Sequence, residues 1–133
     1  MPKFSQKSRQ RLDTCHPVLQ RLFNDIVKVY DCSIIQGIRT VEQQERLFNE
    51  GSSKTMKSKH LMQKDGFSHA VDVAPYPIDW NDTKRFYHFA GAVQERARQL
   101  GLDIRWGGDW DSDQDLNDQT FNDLVHWEID YYA

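Results

Sequence analysis

The chain has 133 residues, 38% apolar and 28% charged with both signs mixed, and a formal net charge of -3 at pH 7. Such a length fits one domain and buries roughly two-thirds of its unfolded surface, enough for a core without covalent staples. The slight acidity argues against a dedicated nucleic-acid binder, which carries a basic face, and no run of about eighteen apolar residues is present to cross a membrane.

The N-terminal "MPKFSQKSRQRLD" is polar and lacks the apolar centre of a signal peptide, so synthesis is expected in a cytosol, with any export depending on another agent. Only Cys15 and Cys32 occur, and without a signal they read as reduced thiols. With no repeat, low-complexity tract or linker, residues 1–133 are read as a single domain with no separate wall-binding module.

In "HPVLQRLFNDIVKVYD", Val18, Leu19, Leu22, Phe23, Ile26 and Val27 fall at helical spacing, with Pro17 suited to the first turn. "CSIIQGI" is β-branched, short and ended by Gly37, which predicts a strand. "TVEQQERLFNEG" opens with Thr40 and Gln43 in a capping-box pattern and stops at Gly51, which predicts a helix. The polar "GSSKTMKSKH" reads as a loop, and "HAVDVAPYP", closed by Pro75 and Pro77, as a short strand. "NDTKRFYHFAGAVQERARQLG" has Phe86, Phe89, Ala90, Val93, Ala97 and Leu100 on one helical face and Gly101 at the cap. "LDIRW" and "HWEIDYY" read as strands around a long acidic loop, "GGDWDSDQDLNDQT". The order predicts an α+β domain whose small, mostly antiparallel sheet is flanked by helices.

Two stretches carry candidate chemistry. "SKHLMQKDGFSHAVDVAP" holds His60, Asp65, His69 and Asp72, and "FNDLVHWEID" holds Asp123, His126 and Glu128. The helical signature His-Glu-x-x-His is absent. A zinc peptidase without it needs three ligands from elsewhere, an open position for water and a nearby carboxylate base. His60, Asp72 and His126 are candidate ligands, and Asp123 or Glu128 the candidate base. In a regular strand residues 126 and 128 share a face while 123 and 126 oppose, so Asp123 reaches the same site only through a turn. "FNDLV" permits one, and composition leaves the two acids at even odds.

Three blocks together resemble the zinc D-alanyl-D-alanine carboxypeptidases and phage L-alanyl-D-glutamate endopeptidases, which share the Hedgehog/D,D-peptidase fold. They are "IIQGIRTVEQQERLFNEGSSK", "SKH" followed by "HAVDVAP", and "IRWGGDWD" followed by "FNDLVHWE". The resemblance implies one zinc ion held by His60, Asp72 and His126, with Asp123 as the acid that activates the attacking water. It implies that Arg39 contacts the substrate and stabilises charge on the attacked carbonyl, and that Ser58 lies near the substrate or the ligands. His69 matches no ligand, and on a strand it would face away from Asp72.

The family usually has about six residues between the histidine and the aspartate, whereas eleven (61–71) separate His60 from Asp72; "LMQKDGFS" is expected to absorb the excess as a loop. The implied substrate is the stem peptide of peptidoglycan, cut between L-alanine and D-glutamate by a phage endolysin. A monomer is expected, with no membrane anchor, waiting in the host cytoplasm until the inner membrane is breached. A D-alanyl-D-alanine carboxypeptidase and a non-catalytic zinc-stabilised wall-binding module are the alternatives. Asp109, Asp111, Asp113 and Asp115 resemble the start of an EF-hand, but Gln114 replaces its glycine and Thr120 its closing glutamate. That leaves a solvated loop or a weak calcium site.

Overall fold

The computed structural model describes residues 2–53, 55–110, 112, 114, 115 and 123–130. Its elements in chain order are α1 (Gln6–Leu12), α2 (Pro17–Ile26), β1 (Cys32–Gln36), α3 (Val41–Asn49), β2 (Ala70–Pro75), α4 (Thr83–Leu100), β3 (Ile104–Trp106) and β4 (His126–Ile129). The strands form one antiparallel sheet in the order β1-β2-β4-β3. The α+β class, the antiparallel sheet and the flanking helices are those expected from the sequence.

Strand alternation divides the sheet into two chemically different faces. Val71 and Val73 of β2, with Trp127 and Ile129 of β4, enter the core. There they meet Leu19, Leu22, Phe23 and Ile26 of α2 and Phe89, Ala90 and Val93 of α4. The intervening residues, Asp72, His126 and Glu128, point to the other face. The core is continued by Trp106, stacked on Trp127 with ring centroids 5.8 Å apart.

The caps are those the sequence predicts. Thr40 and Gln43 form a complete capping box on α3, and Gly101 closes α4 at φ 71, a left-handed conformation. Helix α1 is not foreshadowed by the sequence: its seven residues bury only Ser8 and Leu12, too few for a legible apolar stripe. His16, which has no evident partner in the sequence, caps α2 by accepting the Val18 N–H on Nδ1.

Both cysteines are free thiols in the core. Burial pushes each thiol up to about 12. A raised thiol value means that the reactive thiolate is scarce at pH 8. A chromogenic disulfide reagent at that pH is therefore expected to leave the native protein untouched and to titrate both thiols after denaturation.

Candidate active site

Asp72 and His126 face each other directly across the β2–β4 ladder, so their side chains leave the sheet side by side. His60 joins them from the loop before β2. Its backbone is pinned on both sides: its carbonyl accepts the Arg39 N–H at 2.8 Å, and its N–H donates to Ser58 Oγ at 3.1 Å. A one-residue bulge in β1 sets Gln36 opposite Asp72 and brings the following Gly37 carbonyl within 2.8 Å of His60 Nδ1.

The three side chains converge. His60 Nε2 lies 3.1 Å and His126 Nδ1 3.4 Å from the same Asp72 oxygen, and one donor atom from each residue falls within 4.8 Å of the others. Each imidazole has its outer nitrogen tied elsewhere: His60 Nδ1 to the Gly37 carbonyl, His126 Nε2 to Glu128 Oε1 at 2.8 Å. Imidazoles fixed through the outer nitrogen, with the inner nitrogens and a carboxylate aimed at one point, are the arrangement of a metal-binding site. The donor set, two nitrogens and one carboxylate oxygen, can hold a metal ion.

Charge at the site is tightly compensated. Burial raises the Asp72 carboxyl, but His60 and His126 outweigh it and hold the group well below the usual carboxylate range. Burial lowers His126, while hydrogen bonds to Asp72 and Glu128 push it up to about 9. Glu128 is lowered to about 2: burial opposes this, and His126, Arg105 and Lys59 overcome it.

The two acids left equal by composition are separated here. The chain turns after Asp123, whose carbonyl accepts the His126 N–H at 3.1 Å. That turn sets Asp123 Oδ2 4.0 Å from His126 Nδ1, on the convergent side of the ring. Burial and then the Asp72 charge raise its carboxyl, which marks a group able to take up a proton. Glu128 lies at the outer nitrogen and is bound besides by Arg105 at 2.8 Å and Lys59 at 3.2 Å. It orients the ring. Arg39 stands 4.0 Å from Asp72 Oδ2, its guanidinium locked by Gln36 Oε1 and Gln44 Oε1. Gln44 is itself fixed by donating to Ser53 Oγ and the Thr55 carbonyl.

His60, Asp72, Asp123, His126, Glu128, Arg39 and Arg105 line a cleft of about 530 Å³, which also includes Ser58 and Trp110. A buried pair of imidazoles with a carboxylate, a nearby proton acceptor and an oriented cation on an open cleft can perform hydrolysis. A profile of the phage L-alanyl-D-glutamate peptidases matches residues 1–129. The chain belongs to that family. It is 35% identical over 125 residues to the L-alanyl-D-glutamate peptidase of Escherichia phage T5, covering 88% of each chain. The crystal structure of the Serratia marcescens L-Ala D-Glu endopeptidase ChiX matches with a TM-score of 0.75 and 27% identity, over 96% of this chain and 90% of that one.

Within this phage peptidase fold, the extra residues after His60 form a tight reversal rather than a slack loop. Met62 bridges Ser68, the Gln63 N–H donates to the Phe67 carbonyl, and Gly66 takes φ 87. His69 lies outside the convergent group, as the alternation predicts, and pairs with Asp65 at 2.7 Å. The sequence did not single out Gln36, Gln44, Lys59 or Arg105 for this site. Their roles depend on contacts that no local pattern signals. Of the loop considered for calcium, Asp111 and Asp113 lie outside the described residues, while Asp109 Oδ2 accepts the Gln114 N–H at 2.9 Å.

The "WGGDW" stretch supports the peptidase site sterically. A Cβ on Gly107 would fall 2.1 Å from the Asp123 carbonyl oxygen, a backbone atom that cannot yield without moving Asp123. Gly107→Ala is expected to destabilise the fold by about 1–3 kcal/mol. It is also expected to slow hydrolysis by about 10²-fold, the effect of an ångström-scale displacement of a reacting group. Denaturant titration and steady-state kinetics read the two effects separately.

Proposed function

We propose that this chain is a zinc peptidase that hydrolyses the L-alanyl-D-glutamate bond of the peptidoglycan stem peptide. The observation that carries this reading is the convergence of His60, Asp72 and His126 beside Asp123 on one open cleft. Family membership supports the bond cleaved. The two-nitrogen, one-oxygen donor set suits zinc, and the closed outer hydrogen bonds suit a site that keeps a position for water.

His60, Asp72 and His126 would hold the zinc, which would supply a Lewis acid for the scissile carbonyl and lower the pKa of water toward roughly 7. Asp123 accepts the proton of the attacking water and delivers it to the departing amine of D-glutamate. Its raised carboxyl suits both transfers. Arg39, fixed by the two glutamines, stabilises the negative charge that develops on the carbonyl oxygen. Ser58 holds the His60 backbone and lies at the substrate wall of the cleft. Glu128 keeps His126 in the tautomer whose Nδ1 faces inward.

The enzyme acts as a monomer on the stem peptide. It waits in the host cytoplasm until the inner membrane is breached and then reaches the wall. No helix among the described residues is long and apolar enough to cross a membrane.

Mass analysis of purified peptidoglycan, digested with zinc-loaded protein beside a chelator-treated control, tests the proposal. New stem peptides beginning at D-glutamate, formed only with metal, are the expected result. Release of terminal D-alanine alone would make it a carboxypeptidase, and binding without any product would make it a wall-binding module. Arg39→Ala is expected to lower kcat by about 10²–10³-fold, the loss typical of an oxyanion donor. Its zinc content, measured by atomic absorption, should stay at one ion per chain.

A further inference from the structure

The cleft carries more positive charge than the hydrolytic residues use. Arg39 faces Asp72 and Asp123. Beyond His126, Lys59 and Arg105 both address the single carboxylate of Glu128. Lys59 is already committed, because its Nζ also donates to the Ile129 carbonyl at 2.7 Å. Arg105 gives Glu128 only its Nη2 and makes no other hydrogen bond among the described residues. Its side chain stays 35% exposed on the cleft wall. It also lies against Trp110, with Cζ 5.3 Å from the ring centroid, and that ring is 5.3 Å from the His126 ring. A salt bridge and an aromatic face thus hold this guanidinium one imidazole and one carboxylate away from the convergent donors.

The chemistry of the bond supplies a matching anion. A glutamyl residue has two carboxyl groups, and the peptide continues through only one. The other remains ionised beside the scissile amide, on the leaving-group side. We propose that Arg105 is the receptor for this free glutamate carboxylate, forming an anionic subsite that selects the acid over its amide. The inference rests on the peptidase reading given above. A planar guanidinium held over an aromatic ring is preorganised for carboxylate recognition, which a flexible ammonium is not. Arg39 is the poorer receptor, since its Nε, Nη1 and Nη2 are already given to Gln36 and Gln44. The subsite binds and selects substrate and takes no part in proton transfer.

Calorimetry on the zinc-loaded Asp123→Asn protein tests this without turnover. The probes are two synthetic stem peptides that differ only in a free or amidated glutamate carboxylate. The acid is expected to bind about 10- to 100-fold tighter, the range of a charge-assisted hydrogen bond, and Arg105→Ala should erase the gap while changing amide affinity less than about twofold. Arg105→Gln, which keeps a donor for Glu128 but loses the charge, should behave alike and guards against loss of the metal site in the alanine variant. Three results would overturn the proposal: equal binding of acid and amide with Arg105 present, an unchanged gap without it, or equal loss of both peptides at unchanged zinc content. The last would reduce Arg105 to a support for Glu128. Peptidoglycan digestion, read by product mass, judges the peptidase reading independently.

Discussion

Asp123→Ala is expected to lower kcat by about 10³-fold, within the range for loss of a positioned acid–base group, while one zinc per chain is retained. The separation of the two effects follows from the geometry. Asp123 contributes its backbone to the fold, through the N–H to the Gly107 carbonyl and the carbonyl to the His126 N–H, and alanine preserves both. Its carboxylate lies 4.0 Å from His126 Nδ1 and outside the trio whose donor atoms converge. Removing it deletes a half-buried, proton-accepting group and leaves the donors in place. Glu128→Gln provides the contrast. Glu128 supports the outer nitrogen of His126, and loss of such a partner costs roughly 10–100-fold in metal affinity. At saturating zinc that variant should keep most of its kcat. If Glu128→Gln abolished turnover at full zinc occupancy and Asp123→Ala did not, the roles of the two acids would be reversed.

Asp72→Ala is expected to remove both zinc and activity. Asp72 forms an ion pair with both other members of the trio, at 3.1 Å from His60 and 3.4 Å from His126. Its loss takes away the single negative charge of the donor set, so zinc affinity should fall further than the roughly 10–100-fold of an outer partner. The change is visible in stability as well. A ligand at 1,000 times its dissociation constant stabilises the native state by about 4 kcal/mol, so zinc should raise the melting temperature of the natural sequence. In the Asp72→Ala protein added zinc should shift the melting temperature little. Differential scanning calorimetry with and without chelator reads both. An unchanged zinc-dependent shift in the variant would remove Asp72 from the metal site.

What the sequence determined by itself is what short-range geometry encodes. Helical period and caps marked α2, α3 and α4, because residues three and four apart share a face and the capping groups are neighbours in the chain. Strand alternation placed Asp72 away from Val71 and Val73, and set His69 apart from it, for the same local reason. The resemblance of three blocks then marked His60, Asp72 and His126, which the structure brings within 4.8 Å. Other features depended on the tertiary structure. Helix α1 buries too little to show a pattern and becomes legible only when packed on β1. Asp123 and Glu128 are equivalent by composition; the turn before β4 sends one to the inner nitrogen of His126, and strand alternation sends the other to the outer. Gln36, Gln44, Lys59 and Arg105 acquire their places through hydrogen bonds and ion pairs whose geometry is set by a β-bulge, a helix position and strand register. Such contacts join atoms far apart in the chain, and their energy depends on angles and distances that exist only once the sheet has closed.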